Sequence, residues 1–489
     1  MRKRFNRQGQ FGLVPISELQ LNLECRDEII PLLTGLQYIF SQPALRSKII
    51  DLVKADVNKN TNPDLGREGF EYWQIFVLAT IRLGCNLDYD KFQDLCENHR
   101  SLRCLLQVGE MDSTNFGWRR IRDTLCLLSP ETIAQINHLV VSHGQELLED
   151  AASSVRVDSF VVETNIHYPT ESSLIWDGIR KLVPLCVRLA DSLNVKGWRQ
   201  FKKMLRAIKD LVREISRISA SKSAKTKERL PKVYKKLLGK VNGILQRAKS
   251  LISPEKPKGK RKVIVVPPAA SQRISHWIEL TEIVCDTANR RVLLGETVPN
   301  DEKLFSLFET HTQLYRRGKA GTPNQFGRLV LIMEDKAGFI SHYSLLSRDE
   351  QDSDVVVKET KQAQKKHRGK IRSASFDRGF YSESNKVALA KIVDEPCLPP
   401  KDPKKYAEAM EEGSVKFHQS RQRHSGVESI IGALQQGNGL KRCRDRSEIG
   451  LERYLGLAIL GRNIHTLGKH LIQMKSEDSE AAKTKRKAA

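Results

Sequence analysis

No two cysteines in this chain form a CxxC pair, and the nine present are scattered over 489 residues. That spacing argues against a zinc site, and the odd number against a complete disulfide framework; reduced thiols in a cytosol fit it. Long apolar runs are also missing. The longest, Ile75 to Gly84, is too short to cross a bilayer and contains Arg82. The basic start, MRKRFNRQGQFG, leads into no apolar segment, so no secretory signal is expected. There is no internal repeat. Acid is the scarcer charge: 58 Asp and Glu stand against 82 Lys and Arg, leaving +24 and a pI near 9.6. Such an excess predicts attraction to a polyanion, with nucleic acid the natural phosphate donor. Hydrophobic residues are 39% of the chain, enough for most of it to fold, and the length suits two to four domains.

Three short acidic words stand out against this background: VRVDSF around Asp158, SASFDRGF around Asp377 and RHSGVES around Glu428. The first two place an aspartate in or at the end of a β-branched or aromatic run, which reads as a strand. The third places a glutamate near the start of a helical stretch. Two carboxylates on neighbouring strands and one on an adjacent helix can converge. A hard divalent cation such as Mg²⁺ takes oxygen ligands of this kind, and two such ions suit phosphoryl transfer.

Residues 1–150 read as a helical N-terminal domain. Its segments are PALRSKIIDLVKADV, GFEYWQIFVLATIRLG and a helix opened by Ser129-Pro130-Glu131. From Ser153 the pattern turns to strand, then loop, then the helical LIWDGIRKLVPLCVRLADSL. Residues 196–262 hold 23 basic and four acidic residues, a net +19. Two apolar stripes run through this stretch, Phe201 to Ile218 and Leu230 to Leu245, as expected of an αα-hairpin. PEKPKGKRK, Pro254 to Lys262, reads as an exposed linker. LFSLFETHTQLY, RLVLIMED and FISHYSLLS read as consecutive strands, joined by the turn-rich RRGKAGTPNQ and by Asp335-Lys336-Ala337-Gly338. Helix DVVVKETKQAQKKH, strand IRSASFD, helix SESNKVALAK and strand KIVDEPCLP follow. The class is α/β, a mixed sheet with helices on its faces. Residues 151–470 form its core, with a basic helical insertion over about 190–262 and a linker to about 300. Residues 471–489 are a charged tail expected to be disordered.

This order of elements resembles the RNase H-like core of DDE transposases, and the wording is similar to bacterial insertion-sequence transposases. The segments that carry the likeness are VDSFVVETNIHYPTESSLIWDGIR, LFSLFETHTQLYRRGK with QFGRLVLI, SFDRGFYSESN, HSGVESIIGALQQGNGLKR and LGLAILGRNIHTLG. The resemblance implies that Asp158, Asp377 and Glu428 are the catalytic, metal-binding triad. It implies two Mg²⁺ ions, with Mn²⁺ as a substitute, hydrolytic cleavage at transposon ends and transfer of the 3′-hydroxyl into target DNA. It further implies double-stranded DNA as partner, a homodimer on that DNA and a cytoplasmic location at a bacterial nucleoid. Many relatives carry a tyrosine, an arginine and a lysine around the glutamate. Here those positions are Arg421, His424 and Gln435, which leaves the subgroup open. A nuclease without strand transfer and a non-catalytic DNA-binding descendant are the alternatives.

Around this triad, Arg421, Arg423, His424, Lys441 and Arg442 are candidate DNA contacts. So are Lys202, Lys203, Arg206, Lys209 and Arg213 on the basic hairpin, where phosphate contacts would dominate. Asn165, His167 and Tyr168 either order the loop after the first strand or touch a base. Asn463, set in an apolar helix, is expected to make a structural hydrogen bond.

Overall fold

The computed structural model describes residues 2–5, 14–59, 69–109, 112, 114–253, 265–316, 323–348, 350–367, 370–411 and 413–488. The linker expected at Pro254–Lys262 and residues 317–322, RGKAGT of the turn-rich RRGKAGTPNQ, lie outside them. The architecture is mixed α/β, with a six-stranded mixed sheet among the described residues. The chain divides into two compact units, Met1–Asn165 with Arg328–Ala489, and Ile166–Gly327.

The first unit opens with α1 (Ile29–Ser41), α2 (Pro43–Val57), α3 (Tyr72–Gly84), α4 (Tyr89–Asn98), α5 (Arg100–Leu105), α6 (Trp118–Leu125) and α7 (Pro130–Leu147). The start signals work as the chemistry dictates. Pro43 and Pro130 occupy the first turn of their helices, where a missing N–H costs nothing. The Ser129 hydroxyl accepts the Thr132 N–H at 3.2 Å. After these helices comes β1 (Ser154–Glu163).

The second unit holds α8 (Glu171–Ser192), α9 (Phe201–Ala220), α10 (Ala224–Lys227), α11 (Leu230–Ile252), α12 (Pro268–Ala288) and β2 (Gln313–Arg316). The stripes on α9 and α11 are the surfaces that pack. Ile208, Ile215, Ile218, Leu237, Val241 and Leu245 are all buried with Leu182 of α8 and Ile278 of α12. α12 occupies part of the stretch expected to be a linker: Pro268 sits in its first turn, and Ile274, Ile278, Thr281 and Val284 give it a buried face at helical spacing. LFSLFETHTQLY is extended only from Gln313. Before that, the Ser306 hydroxyl accepts the N–H groups of Phe308 and Glu309 (3.2 and 3.1 Å), a local turn that competes with strand pairing.

β3 (Asn324–Asp335) begins in the second unit, where Asn324–Gly327 pair antiparallel with β2, and continues into the first. The first unit then adds β4 (Ile340–Leu345), α13 (Asp352–Lys366), β5 (Ser373–Phe376), α14 (Glu383–Leu389), β6 (Glu395–Cys397), α15 (Pro403–Glu411), α16 (Val415–His424), α17 (Val427–Gln436) and α18 (Glu448–Ala488). The strand order is β2-β3-β1-β5-β6, with β4 paired antiparallel to β3. β5 is parallel to both β1 and β6. Pro396, which cannot donate to a ladder, lies in the terminal strand of that order.

The N-terminal helices, expected to form a domain of their own, share one hydrophobic core with the sheet. Leu32, Leu36, Phe76, Val140, Val162, Ile332, Leu460 and Ile464 belong to a single buried cluster. α18 is its centre and packs on α1, α3 and α7. The approach is close because glycines line it: a Cβ on Gly468 would stand 1.8 Å from the Pro31 carbonyl oxygen, and one on Gly461 would stand 2.7 Å from Gly84. Asn463 makes the structural bonds expected of it. Its Oδ1 accepts the Ile340 N–H (2.8 Å), and its Nδ2 donates to Asn137 Oδ1 (2.9 Å). Arg82 is buried, paired with Asp445 at 2.9 Å and stacked on Tyr89. The stretch 471–488, expected to be disordered, continues α18. Extending a nucleated helix costs little in a segment rich in Ala, Lys and Glu. All nine cysteines are free, and no helix of the described residues is long and apolar enough to cross a membrane.

Candidate active site

The register of two parallel strands sets the site. Arg156 of β1 lies opposite Ser375 of β5, and Val157 lies opposite Phe376. The next residues on each chain are Asp158 and Asp377. The pairing ends one residue short of them, so each aspartate directly follows a paired position on two neighbouring parallel strands. Residues two apart share a face of a strand, so Arg156 and Asp158 project together, as do Ser375 and Asp377.

That face is covered by α16 and α17. His424 Nδ1 lies 3.1 Å from Ser375 Oγ, Arg421 donates to the Phe376 carbonyl at 3.0 Å, and Arg156 donates to the Arg423 carbonyl at 3.0 Å. Arg156 also presses on the turn between the helices: a Cβ on Gly426 would stand 2.2 Å from its Nη1. Glu428 follows two residues later, in the first turn of α17, a favourable position for an acid at a helix N-terminus. Asp158 lies two residues beyond Arg156, about 7 Å along the strand. α17 itself packs on β1.

Asp377 and Glu428 are exposed and Asp158 is half-buried. Asp158 Oδ1 accepts the Ser159 N–H at 2.7 Å. As paired oxygen donors, Asp158 and Asp377 fit a hard cation. Among the described residues no three His, Cys, Asp or Glu side chains form a ready metal-holding group. Asp158 and Asp377 thus follow paired positions on neighbouring strands, and Glu428 lies in the first turn of α17, which packs on β1.

The surrounding charge is positive. Arg421 is half-buried, and its Nε is buried without a hydrogen-bond partner. Arg423 is half-buried, and desolvation lowers its pKa, as does Arg156 beside it. Arg156 is ion-paired with the buried Glu334 of β3. His424 is buried, and its pKa falls to about 4. Burial is the main cause and Arg421 adds to it, while Asp377 opposes. At neutral pH it is an uncharged imidazole that positions β5 against α16, not a cationic phosphate contact. Sequence reasoning overlooked Arg156 and Ser375. The signal was present: each stands two residues before an aspartate and so shares its face.

The other candidates lie elsewhere. Lys441 and Arg442 are exposed on a segment that pairs with the end of β1: the Glu163 N–H donates to the Lys441 carbonyl at 3.3 Å, and Arg442 bridges Glu163 at 3.2 Å. In the second unit, Lys202, Lys203, Arg206, Lys209 and Arg213 are exposed on α9, with Lys209 over the Trp176 ring. A trough of about 500 Å³ between α9 and α11 is lined by Arg199, Lys203, Lys240 and Arg247. His167 bonds the buried Asp177 at 2.7 Å and so orders the loop after β1, while Tyr168 is 67% exposed. Comparison of the chain with family models, characterised proteins and solved structures gave no match.

Proposed function

We propose that this protein is a divalent-metal-dependent DNA transposase with an RNase H-like core. The observation that carries the reading is the parallel β1–β5 register, which ends at Val157 and Phe376, directly before Asp158 and Asp377, on a face covered by the helix pair that bears Glu428. Antiparallel pairing of β3 with β2 and β4, beside parallel β1, β5 and β6, supports the fold assignment.

Asp158, Asp377 and Glu428 would hold the cations. When bound, these supply positive charge at the scissile phosphate and a nucleophilic oxygen at neutral pH. Arg421, which reaches the carbonyl of Phe376 just before Asp377, would place a phosphate oxygen beside that aspartate, while Arg423 lies toward Arg156, Glu334 and Asp335. Arg156 holds the turn before Glu428 in position. The exposed cations of α9 and the trough beside it bind duplex phosphates without reading sequence. The protein then acts at a bacterial nucleoid, as a homodimer holding two transposon ends.

The test is cleavage and strand transfer with paired transposon-end DNA, comparing wild type with Asp158→Asn, Asp377→Asn and Glu428→Gln. Each substitution is expected to lower cleavage on the order of 100-fold or more while DNA binding persists. Wild-type cleavage by any of the three overturns its assignment. Cleaved ends without integrated product would make the protein a nuclease, and binding without cleavage by the wild type would make it a DNA-binding module.

A further inference from the structure

One cluster of ionisable groups takes no part in the chemistry above. β4 and α13 bring together His342, Glu359 and Lys366. His342 and Glu359 are buried, and His342 Nε2 lies 2.7 Å from Glu359 Oε2. Lys366 Nζ lies 3.1 Å from His342 Nδ1. An ammonium has only protons to give, so Nδ1 accepts and Nε2 carries the proton offered to Glu359. A nucleophile, a base within hydrogen-bond reach and a carboxylate orienting that base make the arrangement that activates nucleophiles in covalent catalysis. Desolvation lowers the Lys366 pKa, with Glu359 opposing, and burial also disfavours a charged His342.

Lys366 is exposed along its length, while its contact with His342 is partly buried. It lines a cleft of about 670 Å³ whose walls are Lys48 and Leu52 of α2 and Ala134, His138 and Leu139 of α7. The walls are mainly apolar, and the volume falls in the range of small-molecule sites. A perturbed titratable group in a cleft, with a named physical cause, marks a functional candidate.

We propose that this cleft is a second site, in which Lys366 takes the carbonyl of an apolar aldehyde or ketone as a Schiff base. The amine nitrogen attacks the carbonyl carbon, and the C–N bond forms as the carbonyl π pair moves to oxygen. His342 takes a proton from the ammonium, Glu359 steadies the imidazolium, and that proton returns to the hydroxyl as it leaves. The products are one protonated imine and one water, and no oxidant or reductant enters. Leu52, Ala134 and Leu139 receive the apolar body of the ligand. The other charged or titratable groups near the amine are His367 directly after α13, His138 from α7, and Lys48 and Asp51 from α2; Asp51 is ion-paired with Arg4.

The experiment uses the full chain with octanal and cyanoborohydride, which traps imines, followed by peptide mass spectrometry. Lys365, adjacent in sequence, exposed like Lys366 but outside the cleft lining, is the internal reference. With octanal, Lys366 is expected to label about tenfold faster than Lys365, the gain that burying roughly two methylene groups of the ligand in the cleft supplies. Its pH–rate midpoint should lie below that of Lys365. Glyceraldehyde, small and polar, should favour Lys366 much less than octanal does. Ala134→Trp, which fills the cleft and leaves the relay in place, should cut the octanal preference for Lys366 to that seen with glyceraldehyde. Equal labelling of the two lysines by octanal in the wild type, or a preference untouched by Ala134→Trp, overturns the proposal.

Discussion

At the scale of single residues, the buried histidines set how the protein responds to acid. His367, His424 and His465 are each held neutral, with pKa values lowered to about 4 chiefly by burial. An unfolded histidine takes its proton near 6.5, so between 6.5 and 4 the unfolded chain binds more protons than the folded one. The stability these groups confer is complete above 6.5 and is withdrawn as pH falls toward 4. Asp335 works in the opposite sense. Burial raises its pKa to about 7 against the pull of Gln145 and two backbone N–H groups. Its contribution is full below its unfolded value near 3.8 and is lost as pH rises through 7. Three histidines outweigh one aspartate over the shared range. The melting temperature should therefore climb from pH 4 to 6.5 and level off near neutrality. A melting temperature that stays flat across that range would show that these imidazoles are not desolvated as described.

Among the elements, α18 is the one whose packing has least room. Its Gly468 lies so close to the α1 backbone that a methyl group would meet a carbonyl oxygen, which no rotamer change relieves. Gly468→Ala should cost about 3 kcal/mol or more in chemical denaturation. A Cβ added to Gly432 on α17 would meet nothing within 4 Å, so Gly432→Ala should stabilise by about 0.5–1 kcal/mol through helix propensity. Opposite signs for the same chemical change would separate close helix approach from propensity. Much at this scale could be read from residue order. The proline at the start of α2, the Ser129 cap and the β-branched run of β1 rest on local rules that hold without tertiary context. IRSASFD and KIVDEPCLP read correctly as strands, although β5 and β6 pair over only part of each; the turn at Ser306 was harder. A few residues of strand gain their stability from neighbours, and a serine hydroxyl can redirect a backbone that composition marks as extended.

For the whole molecule, charge is the governing quantity. The exposed cations of α9 predict binding to duplex DNA that weakens with salt. Replacing Lys202, Lys203, Arg206, Lys209 and Arg213 by glutamine should flatten the slope of log affinity against log salt by about 0.9 for each phosphate contact removed. An unchanged slope would remove α9 from the interface. The charge excess, the stripe of each hairpin helix and the three acidic words were all legible in order of residues alone, because composition and periodicity are properties of neighbours along the chain. Two things came only with the tertiary structure. The first is the single core joining the N-terminal helices to the sheet, which depends on α18, near the end of the chain, reaching α1, near its start. The second is the register that pairs Val157 with Phe376, directly before Asp158 and Asp377, together with the roles of Arg156 and Ser375 beneath α16. Which strand lies next to which, and at what offset, is decided by burial summed over the whole fold, and no local pattern carries that sum.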